Sequence, residues 1–235
     1  MVNLREKTAA AAVYEYVYGE ITHRRLCPGQ LLTENYLCAC MNVGRSPVRL
    51  ALQQLAKDGF VELRANRSTI VTCFTQKQLQ QLYSLREVFL EYALRQTIHL
   101  YEKEDIAMLT GFLSDMERAF RFRAFDDYIR AVSGFYSAMI EKADNPYLTE
   151  SAAMVINRIN VYICLYDNFY SVKRLKTLSM QNRMVQGIRD GKLGVVMRAH
   201  QKLSNQVVAA YDQMVRCNLP GGHGNEKQAE TKISG

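Results

Sequence analysis

Residues 43–71, VGRSPVRLALQQLAKDGFVELRANRSTIV, carry the pattern that most restricts what this chain can fold into. Apolar side chains recur at positions i, i+3, i+4 and i+7, the spacing of one buried helix face: Val48, Ala51, Leu52 and Leu55. Ser46 is a candidate N-cap, and Pro47 suits the first helical position, where its missing N–H is not needed. Gly59 is expected to end this helix.

The segments on either side of this helix predict a small mixed domain. Downstream, FVEL (60–63) and STIVTCF (68–74) are β-rich runs joined by RANR, which indicates a hairpin. Upstream, TAAAAVYEYVYGEITHRRL (8–26) predicts a helix with Thr8 as a candidate cap, and TENYLCACMNVG (33–44) a second helix with Thr33 as its N-cap. Three short helices and a hairpin form a winged helix-turn-helix, which we place at residues 1–75.

The chain from Gln76 onward has a different texture, with long amphipathic stretches and little Gly or Pro. Helices are predicted at about 76–100, 102–122, 125–143, 147–168, 172–190 and 193–217. Short connections between such helices favour antiparallel neighbours, so residues 76–218 are expected to form an all-α antiparallel helical bundle. Residues 219–235 lack apolar periodicity and are predicted to be a disordered tail. The fold class is therefore mainly α.

The charge balance permits a polyanionic partner without requiring one. The chain has 30 Lys and Arg against 23 Asp and Glu, a net charge of +7 that is spread along its length. The arrangement is more informative, because Arg45 and Arg49 share the helix face opposite the apolar one. A guanidinium there can donate two hydrogen bonds to guanine in a major groove, and Ser46 suits a phosphate. The hairpin tip would reach the backbone or minor groove through Arg64, Asn66 and Arg67.

The quoted motifs closely resemble the DNA-binding domain of the GntR family of bacterial transcription regulators. The resemblance covers about 60 residues: the Pro-Gly turn, the Arg-Ser-Pro-Val-Arg helix start, the Leu-x-x-Asp-Gly helix end and the Asn-Arg wing. It implies that Arg45 and Arg49 read bases, and that the Ser46 side chain and the wing contact the backbone or groove. Ser68 stands where the family usually has Gly. Glu34 is a further candidate near the DNA, although an acidic residue at a helix N-terminus is equally typical of a purely structural role.

The helical part resembles the effector domain of the FadR branch of this family, in LQQLYSLREVFLEYALR, FYSAMIEKADNPYL and MVQGIRDGKLGVVMRAH. Many members hold a divalent metal there through an Asp, a His four residues later and two further His. This chain has Val132, Tyr136 and Gln181 at three of those positions, and only His200 remains. One imidazole with an amide and a phenol lacks the donors and negative charge that a divalent ion needs. We therefore expect no metal and no other cofactor.

The same alignment places four polar side chains inside the bundle: Arg86, Tyr136, Gln181 and His200. They could line a cavity and orient an organic effector, with Arg86 or His200 meeting a carboxylate or phosphate. The alternative is that they form ordinary hydrogen bonds between helices in a collapsed core. The sequence leaves both interpretations open.

These features favour a cytoplasmic, homodimeric transcription regulator, such as a repressor, whose affinity for a double-stranded DNA operator changes when an effector binds. The alternative is a metabolite sensor that acts through protein contacts with little direct DNA binding. No Ser-His-Asp arrangement, phosphate-binding Gly loop or suitable carboxylate pair indicates an enzyme. The six cysteines are scattered without zinc-ligand spacing, and no apolar run is long enough to span a membrane.

Overall fold

A computed structural model of the chain describes residues 4–64, 69–166 and 173–211. Its N-terminal unit has a helix, a short strand, two further helices and two more strands: α1 (Leu4–Thr22), β1 (Leu31–Leu32), α2 (Glu34–Met41), α3 (Arg45–Asp58), β2 (Val61–Leu63) and β3 (Thr69–Val71). The predicted winged helix-turn-helix order of elements is thus present.

Strand β1 is an addition that the sequence did not predict. It pairs antiparallel with β3, which in turn pairs antiparallel with β2, so the sheet order is β1-β3-β2. Gly29 adopts a φ of 79°, and its N–H donates to the Val71 carbonyl at 2.9 Å. The Pro-Gly turn therefore delivers the chain directly into the sheet, because only glycine adopts this backbone conformation without strain.

Helix α3 begins one residue earlier than its apparent cap. Its N-cap is Gly44, which offers no side-chain hydrogen bond, so the prediction that Ser46 caps the helix is wrong. Ser46 and Pro47 instead lie in the first turn, where backbone N–H groups have no partner within the helix and a proline is tolerated. The prediction for Gly59 is confirmed: it is the C-cap, with a φ of 89°.

The other two cap predictions for the N-terminal unit had opposite outcomes. Thr33 is the N-cap of α2, and its side chain accepts a hydrogen bond from the Tyr36 N–H at 3.2 Å. Thr8 is not the N-cap of α1, because the helix already begins at Leu4 and Thr8 lies within it. Alanine-rich sequence propagates a helix easily, so α1 extends beyond the polar residue that had suggested its start.

The C-terminal unit contains six helices in the described residues, close to the predicted ranges: α4 (Gln76–Thr97), α5 (Lys103–Arg121), α6 (Phe125–Glu141), α7 (Pro146–Tyr166), α8 (Lys173–Arg189) and α9 (Leu193–Ala209). A short 3₁₀ turn, Ile98–Leu100, follows α4. Thr75 caps α4 in a reciprocal capping box with Gln78. The domain limits at residues 75 and 218 stay predictions, and the expected tail at 219–235 lies outside the described residues.

Five of these helices form a closed ring. Helix α4 packs against α6, α6 against α5, α5 against α8, α8 against α9, and α9 returns to α4. Helix α7 covers α4 and α6 and also contacts α1. Side chains that point to the middle of the ring are therefore brought together from distant parts of the sequence.

The two units share one apolar core instead of being joined by a free linker. Val13 and Val17 of α1 belong to the same buried cluster as Ile159 and Tyr162 of α7. Within the parts of the chain that the structure describes, no helix is long and apolar enough to cross a membrane.

Candidate DNA-binding surface and core polar cluster

The start of α3 presents its arginines on the outside of the N-terminal unit. Arg45 and Ser46 are exposed, and the Arg49 side chain is 43% exposed. Arg49 donates from Nε to both carboxylate oxygens of Glu34, at 2.9 and 3.0 Å, and Arg45 donates from Nη2 to Asn35 Oδ1 at 3.4 Å. These five residues are called the arginine surface below. Asn35 was missed by sequence reasoning.

The first turn of α2 supplies both partners of the α3 arginines. Glu34 and Asn35 follow the N-cap Thr33 directly, so the cap determines where their side chains emerge. The Glu34 carboxylate raises the pKa of Arg49 by a hydrogen bond and by its charge. The Arg49 side chain is 43% exposed and that of Glu34 is 16% exposed, so the guanidinium is open to solvent and can bind another acceptor in place of the carboxylate.

The opposite face of α3 is packed, as predicted. Val48, Ala51, Leu52 and Leu55 are buried and join the apolar core that α3 shares with α1. This packing fixes the orientation of α3 and therefore the position of its exposed first turn.

The wing is described only in part. Arg64 is exposed and directly follows β2, where the chain leaves the strand. Three wing residues lie outside the described residues: Asn66, Arg67 and Ser68, which differs from the Gly usual in the family. The expected wing contacts therefore stay predictions.

The four polar residues predicted inside the bundle project from four helices of the ring: Arg86 from α4, Tyr136 from α6, Gln181 from α8 and His200 from α9. Each is 3% exposed or less. Arg86 Nε donates to His200 Nε2 at 3.2 Å, and the Arg86 guanidinium carbon lies 3.9 Å from the Tyr136 ring centroid. We call these four residues the core polar cluster.

Gln181 is assigned to the cluster by its place on α8, because no hydrogen bond joins it to the other three members among the described residues. It lies one turn from Leu178 and Met184 on the buried face of α8, and both of these pack in the core that contains Tyr136. The buried face of α8 therefore brings the Gln181 amide to the inside of the ring.

The cluster leaves one polar atom of each member without a hydrogen-bond partner: Arg86 Nη2, Tyr136 OH, Gln181 Oε1 and His200 Nδ1. Among the described residues, only one further buried side-chain atom, Asn160 Oδ1, shares this condition. Buried polar groups are normally paired, so four such atoms in one ring are unusual. The unpaired groups argue against an ordinary network of hydrogen bonds between helices.

The electrostatics of the cluster are equally unusual. Burial, and secondarily the Arg86 charge, lower the pKa of His200 well below its ordinary value, so the imidazole is neutral. Arg86 Nε can only donate, so His200 Nε2 must be the acceptor and the ring proton resides on Nδ1. In the described part of the chain, Arg86 has no carboxylate partner, and its cationic charge is buried against two aromatic rings, Tyr136 and Tyr83.

The cluster is closed to solvent and does not resemble a metal centre. No group of three or more His, Cys, Asp or Glu side chains in the described residues could hold a metal ion. The expectation of no metal stays a prediction. Three surface depressions of about 490 to 520 Å³ lie elsewhere, and no cluster member lines any of them.

Comparison with known families settles the class of protein. Residues 9–71 match the model "Bacterial regulatory proteins, gntR family", and residues 81–199 match the FCD domain, which alone spans half of the chain. The chain belongs to the GntR family and carries an FCD domain. The resemblance of both units to known regulators is thereby confirmed. Members of this family are transcription regulators and not enzymes.

Individual relatives of this GntR-family chain are distant. It is 24% identical over 161 residues to the uncharacterized HTH-type transcriptional regulator YdhC of Bacillus subtilis, covering 67% of this chain and 70% of that protein. It is 26% identical to the Nta operon transcriptional regulator of Aminobacter aminovorans and 24% identical to the repressor RspR of Escherichia coli, each over 132 residues and 56% of this chain. The matches span 62% and 58% of these two relatives.

Solved structures share the fold of the GntR-family chain. A putative transcriptional regulator GntR from Rhodococcus sp. RHA1 has a TM-score of 0.66 at 18% identity, covering 88% of this chain and 98% of that one. McbR/YncC of E. coli has a TM-score of 0.62 at 17% identity, covering 91% and 99%. The mainly α fold, with a winged helix-turn-helix followed by a helical bundle, is thus confirmed.

Proposed function

We propose that this protein binds a double-stranded DNA operator through its arginine surface, and that a small organic effector bound at the core polar cluster changes its operator affinity. The observation that carries the DNA-binding part is the position of Arg45 and Arg49. Arg45 is exposed and the Arg49 side chain is 43% exposed, and the two lie one helical turn apart at the start of a helix whose other face is buried. A helix held in this way can insert its first turn into the major groove.

The chemistry of the first turn of α3 supports this proposal. Arg45 and Arg49 can each donate two hydrogen bonds to the O6 and N7 of guanine, and Arg49 would leave Glu34 to do so. The N-cap Gly44 provides no side-chain acceptor, so first-turn N–H groups remain available to a phosphate beside the Ser46 hydroxyl. Arg64, Asn66 and Arg67 would add wing contacts.

Homodimerisation would set two such surfaces on a pseudo-palindromic operator. The outer face of α4 supports this proposal, since Leu85, Val88 and Tyr92 recur at i, i+3 and i+7 and are 39%, 59% and 48% exposed. An apolar stripe of this kind typically marks a protein contact. Val88→Asp should shift the protein to a monomer in sedimentation velocity, whereas Met154→Asp, on an exposed apolar residue of α7, should not. A dimer that survives Val88→Asp would place the interface elsewhere.

The core polar cluster is the proposed effector site, and a carboxylate is the proposed anionic group. Two of its helices run directly to the junction between the units. The Gln76 side chain, at the start of α4, donates to the Val208 carbonyl near the end of α9 at 3.3 Å. The Tyr166 hydroxyl accepts from the Phe74 N–H at 3.0 Å in the same region. A shift of α4 or α9 on effector binding would therefore move the N-terminal unit and change the fit to the operator.

The test is fluorescence anisotropy of the full-length protein with DNA from upstream of its own gene, against a shuffled duplex of equal length. Arg45→Ala/Arg49→Ala should weaken operator binding roughly a hundredfold, because two base contacts are lost. Arg118→Ala/Arg121→Ala removes the same charge from the exposed face of α5 and should leave operator preference unchanged.

The salt dependence of the same assay separates the two functions that the sequence allowed. DNA binding by phosphate neutralisation must weaken steeply as salt rises. Unchanged operator preference in Arg45→Ala/Arg49→Ala would contradict the proposed surface. A weak affinity that does not respond to salt would instead favour a sensor acting through protein contacts.

A further inference from the structure

The core polar cluster contains a buried cation that no acidic side chain of the described residues neutralises. Arg86 is 3% exposed, and its contacts are a neutral imidazole and the faces of two tyrosines. A buried charge normally has a charged partner, because desolvation of an isolated ion is expensive. In the described part of the chain no carboxylate meets Arg86, so the cluster lacks a negative charge that a bound anion would supply.

The four unpaired atoms define a hydrogen-bonding pattern for the missing group. Arg86 Nη2 can only donate, and His200 Nδ1 carries the ring proton, so both require an acceptor. Gln181 Oε1 requires a donor. The Tyr136 hydroxyl can do either. A ligand that satisfies all four atoms therefore needs acceptor oxygens on one side and a hydrogen-bond donor on the other.

We infer that the core polar cluster binds a small organic monoanion that carries a hydroxyl group, with the Arg86 guanidinium supplying the positive charge and no divalent ion taking part. This inference rests on the proposed role of the cluster as the effector site and names the chemical class of the effector. The carboxylate of a hydroxy acid would accept from Arg86 and His200. Its hydroxyl would donate to Gln181 and accept from Tyr136.

The charge of the cluster limits the ligand to a single negative charge. Arg86 contributes one positive charge, and His200 is neutral because burial and the Arg86 charge lower its pKa. A dianion would leave one negative charge uncompensated among groups that include the Gln181 carbonyl oxygen. A plain monocarboxylate would leave Gln181 Oε1 without a donor.

The same geometry disfavours a metal. His200 is the only cluster side chain that readily ligates a transition metal, and its Nε2 already accepts from Arg86 at 3.2 Å. Coordination through Nδ1 would require the proton to leave that nitrogen, and the positive charge of Arg86 nearby would repel the ion. The guanidinium thus takes the place that a cationic metal would occupy.

The rest of the ring suggests that the ligand is small and partly apolar. The α5 helix contributes no member of the cluster but places Leu109, Leu113 and Met116 in the same core as Tyr136. A short alkyl chain would pack against this wall.

The experiment is isothermal titration calorimetry of the full-length protein after treatment with a chelator. Lactate and α-hydroxybutyrate are compared with propionate and butyrate, which lack the hydroxyl, with malonate and succinate, which carry a second charge, and with propylene glycol, which has none. We expect binding of at least one hydroxy acid, and binding at least roughly tenfold weaker for its unhydroxylated and dianionic counterparts, since each leaves a buried polar group unpaired or a charge in excess.

Variants separate recognition from a merely structural role. Arg86→Met should weaken hydroxy-acid binding roughly a hundredfold, and it should leave the Tm of the ligand-free protein equal or higher, because a buried unpaired cation is removed. Arg95→Met, at an exposed position of the same helix, should change neither quantity. Gln181→Met should remove the preference for the hydroxyl while retaining the preference for a monoanion.

Several results would overturn the inference. One is that propionate or succinate binds as tightly as the hydroxy acids. Another is that hydroxy acids still bind Arg86→Met, or do not bind the natural protein at all. A third is that binding requires added zinc. A marked fall of Tm in ligand-free Arg86→Met would assign Arg86 to bracing the helices. None of these outcomes affects the operator assay with Arg45→Ala/Arg49→Ala, so the two proposals fail separately.

Discussion

Two arginines of this protein, Arg49 and Arg86, show how the surroundings of one side-chain type can suit it to different partners. The Arg49 side chain is 43% exposed, and its Nε lies 2.9 Å from the Glu34 carboxylate. Arg86 is almost completely buried, and its contacts with the described residues are all neutral. The first charge is satisfied but replaceable, because water screens its ion pair. The Arg86 charge is buried without a carboxylate partner among the described residues, which suits a site that binds an anion.

The two regions also differ in what supports them. The arginine surface lies on a helix backed by aliphatic packing, so its side chains can be removed without loss of the fold. The core polar cluster is itself part of the interior, so changes there affect stability and binding together. This contrast leads to four predictions, from the largest expected effect to the smallest.

The back of α3 should be far more sensitive to mutation than its front. Leu55 is fully buried, so Leu55→Ala should lower the free energy of unfolding by about 2–5 kcal/mol, the range for a buried leucine. Arg45→Ala should leave stability unchanged because the side chain is exposed. Urea denaturation followed by circular dichroism measures both. Equal effects would mean that the arginine is part of the packing.

The buried imidazole should make stability depend on pH. His200 has a pKa below its ordinary value in the folded state, so below about pH 6.5 the unfolded chain binds a proton that the folded chain does not. Stability should therefore be complete above that pH and fall by about 1.4 kcal/mol per unit as the pH drops. His200→Gln should flatten this slope in urea denaturation, and His23→Gln, at an exposed position, should not. A slope that persists in His200→Gln would assign the proton uptake to other groups.

Contacts between the units should matter less for stability than for signalling. The Tyr18 hydroxyl donates to Asp126 across the junction at 2.8 Å, and the Tyr14 hydroxyl donates to Asp58 within the N-terminal unit at 2.9 Å. Tyr18→Phe and Tyr14→Phe should each cost about 1 kcal/mol of stability. Only Tyr18→Phe should reduce the change in operator affinity that the effector causes, measured by anisotropy. An equal loss in Tyr14→Phe would contradict transmission through this contact.

The smallest effect concerns Glu34. Glu34→Gln should lower the ratio of operator to shuffled-DNA affinity about two- to fivefold, because Arg49 loses the charge that positions it. Affinity for shuffled DNA should rise, since one carboxylate near the phosphates is removed. Glu62→Gln makes the same charge change at an exposed position of β2 and is the control. If it lowers the ratio equally, net charge alone explains the result.

Local patterns explain which parts of the fold were predictable. The apolar spacing of α3 and the Thr33 cap are consequences of neighbouring residues, and both are confirmed. Strand β1 is two residues long and is stabilised by β3, some forty residues away, so no local pattern predicted it. Ser46 failed as a cap because Gly44 can start the helix earlier without a side-chain acceptor.

The candidate sites divide in the same way. Resemblance to a family supplied the four positions of the core polar cluster, but the contact between Arg86 and His200 joins residues 114 apart and depends on the ring of helices. The pairing of Arg45 with Asn35 was missed because the sequence contains no pattern that links the two helix starts. Tertiary packing, in both sites, determines which polar groups end with partners and which without.

The central claim, that the α3 arginines contact guanine edges, can be measured by pairing a change in the protein with a change in the DNA. Each guanine of the operator half-sites is replaced in turn by 7-deazaguanine, which lacks the N7 acceptor. The affinity for each modified operator is then measured with the natural protein and with Arg45→Ala/Arg49→Ala. At one guanine or more the natural protein should lose roughly tenfold in affinity, and the variant should be indifferent to the same replacement. Equal losses in both proteins, or none in the natural one, would contradict base reading by these side chains.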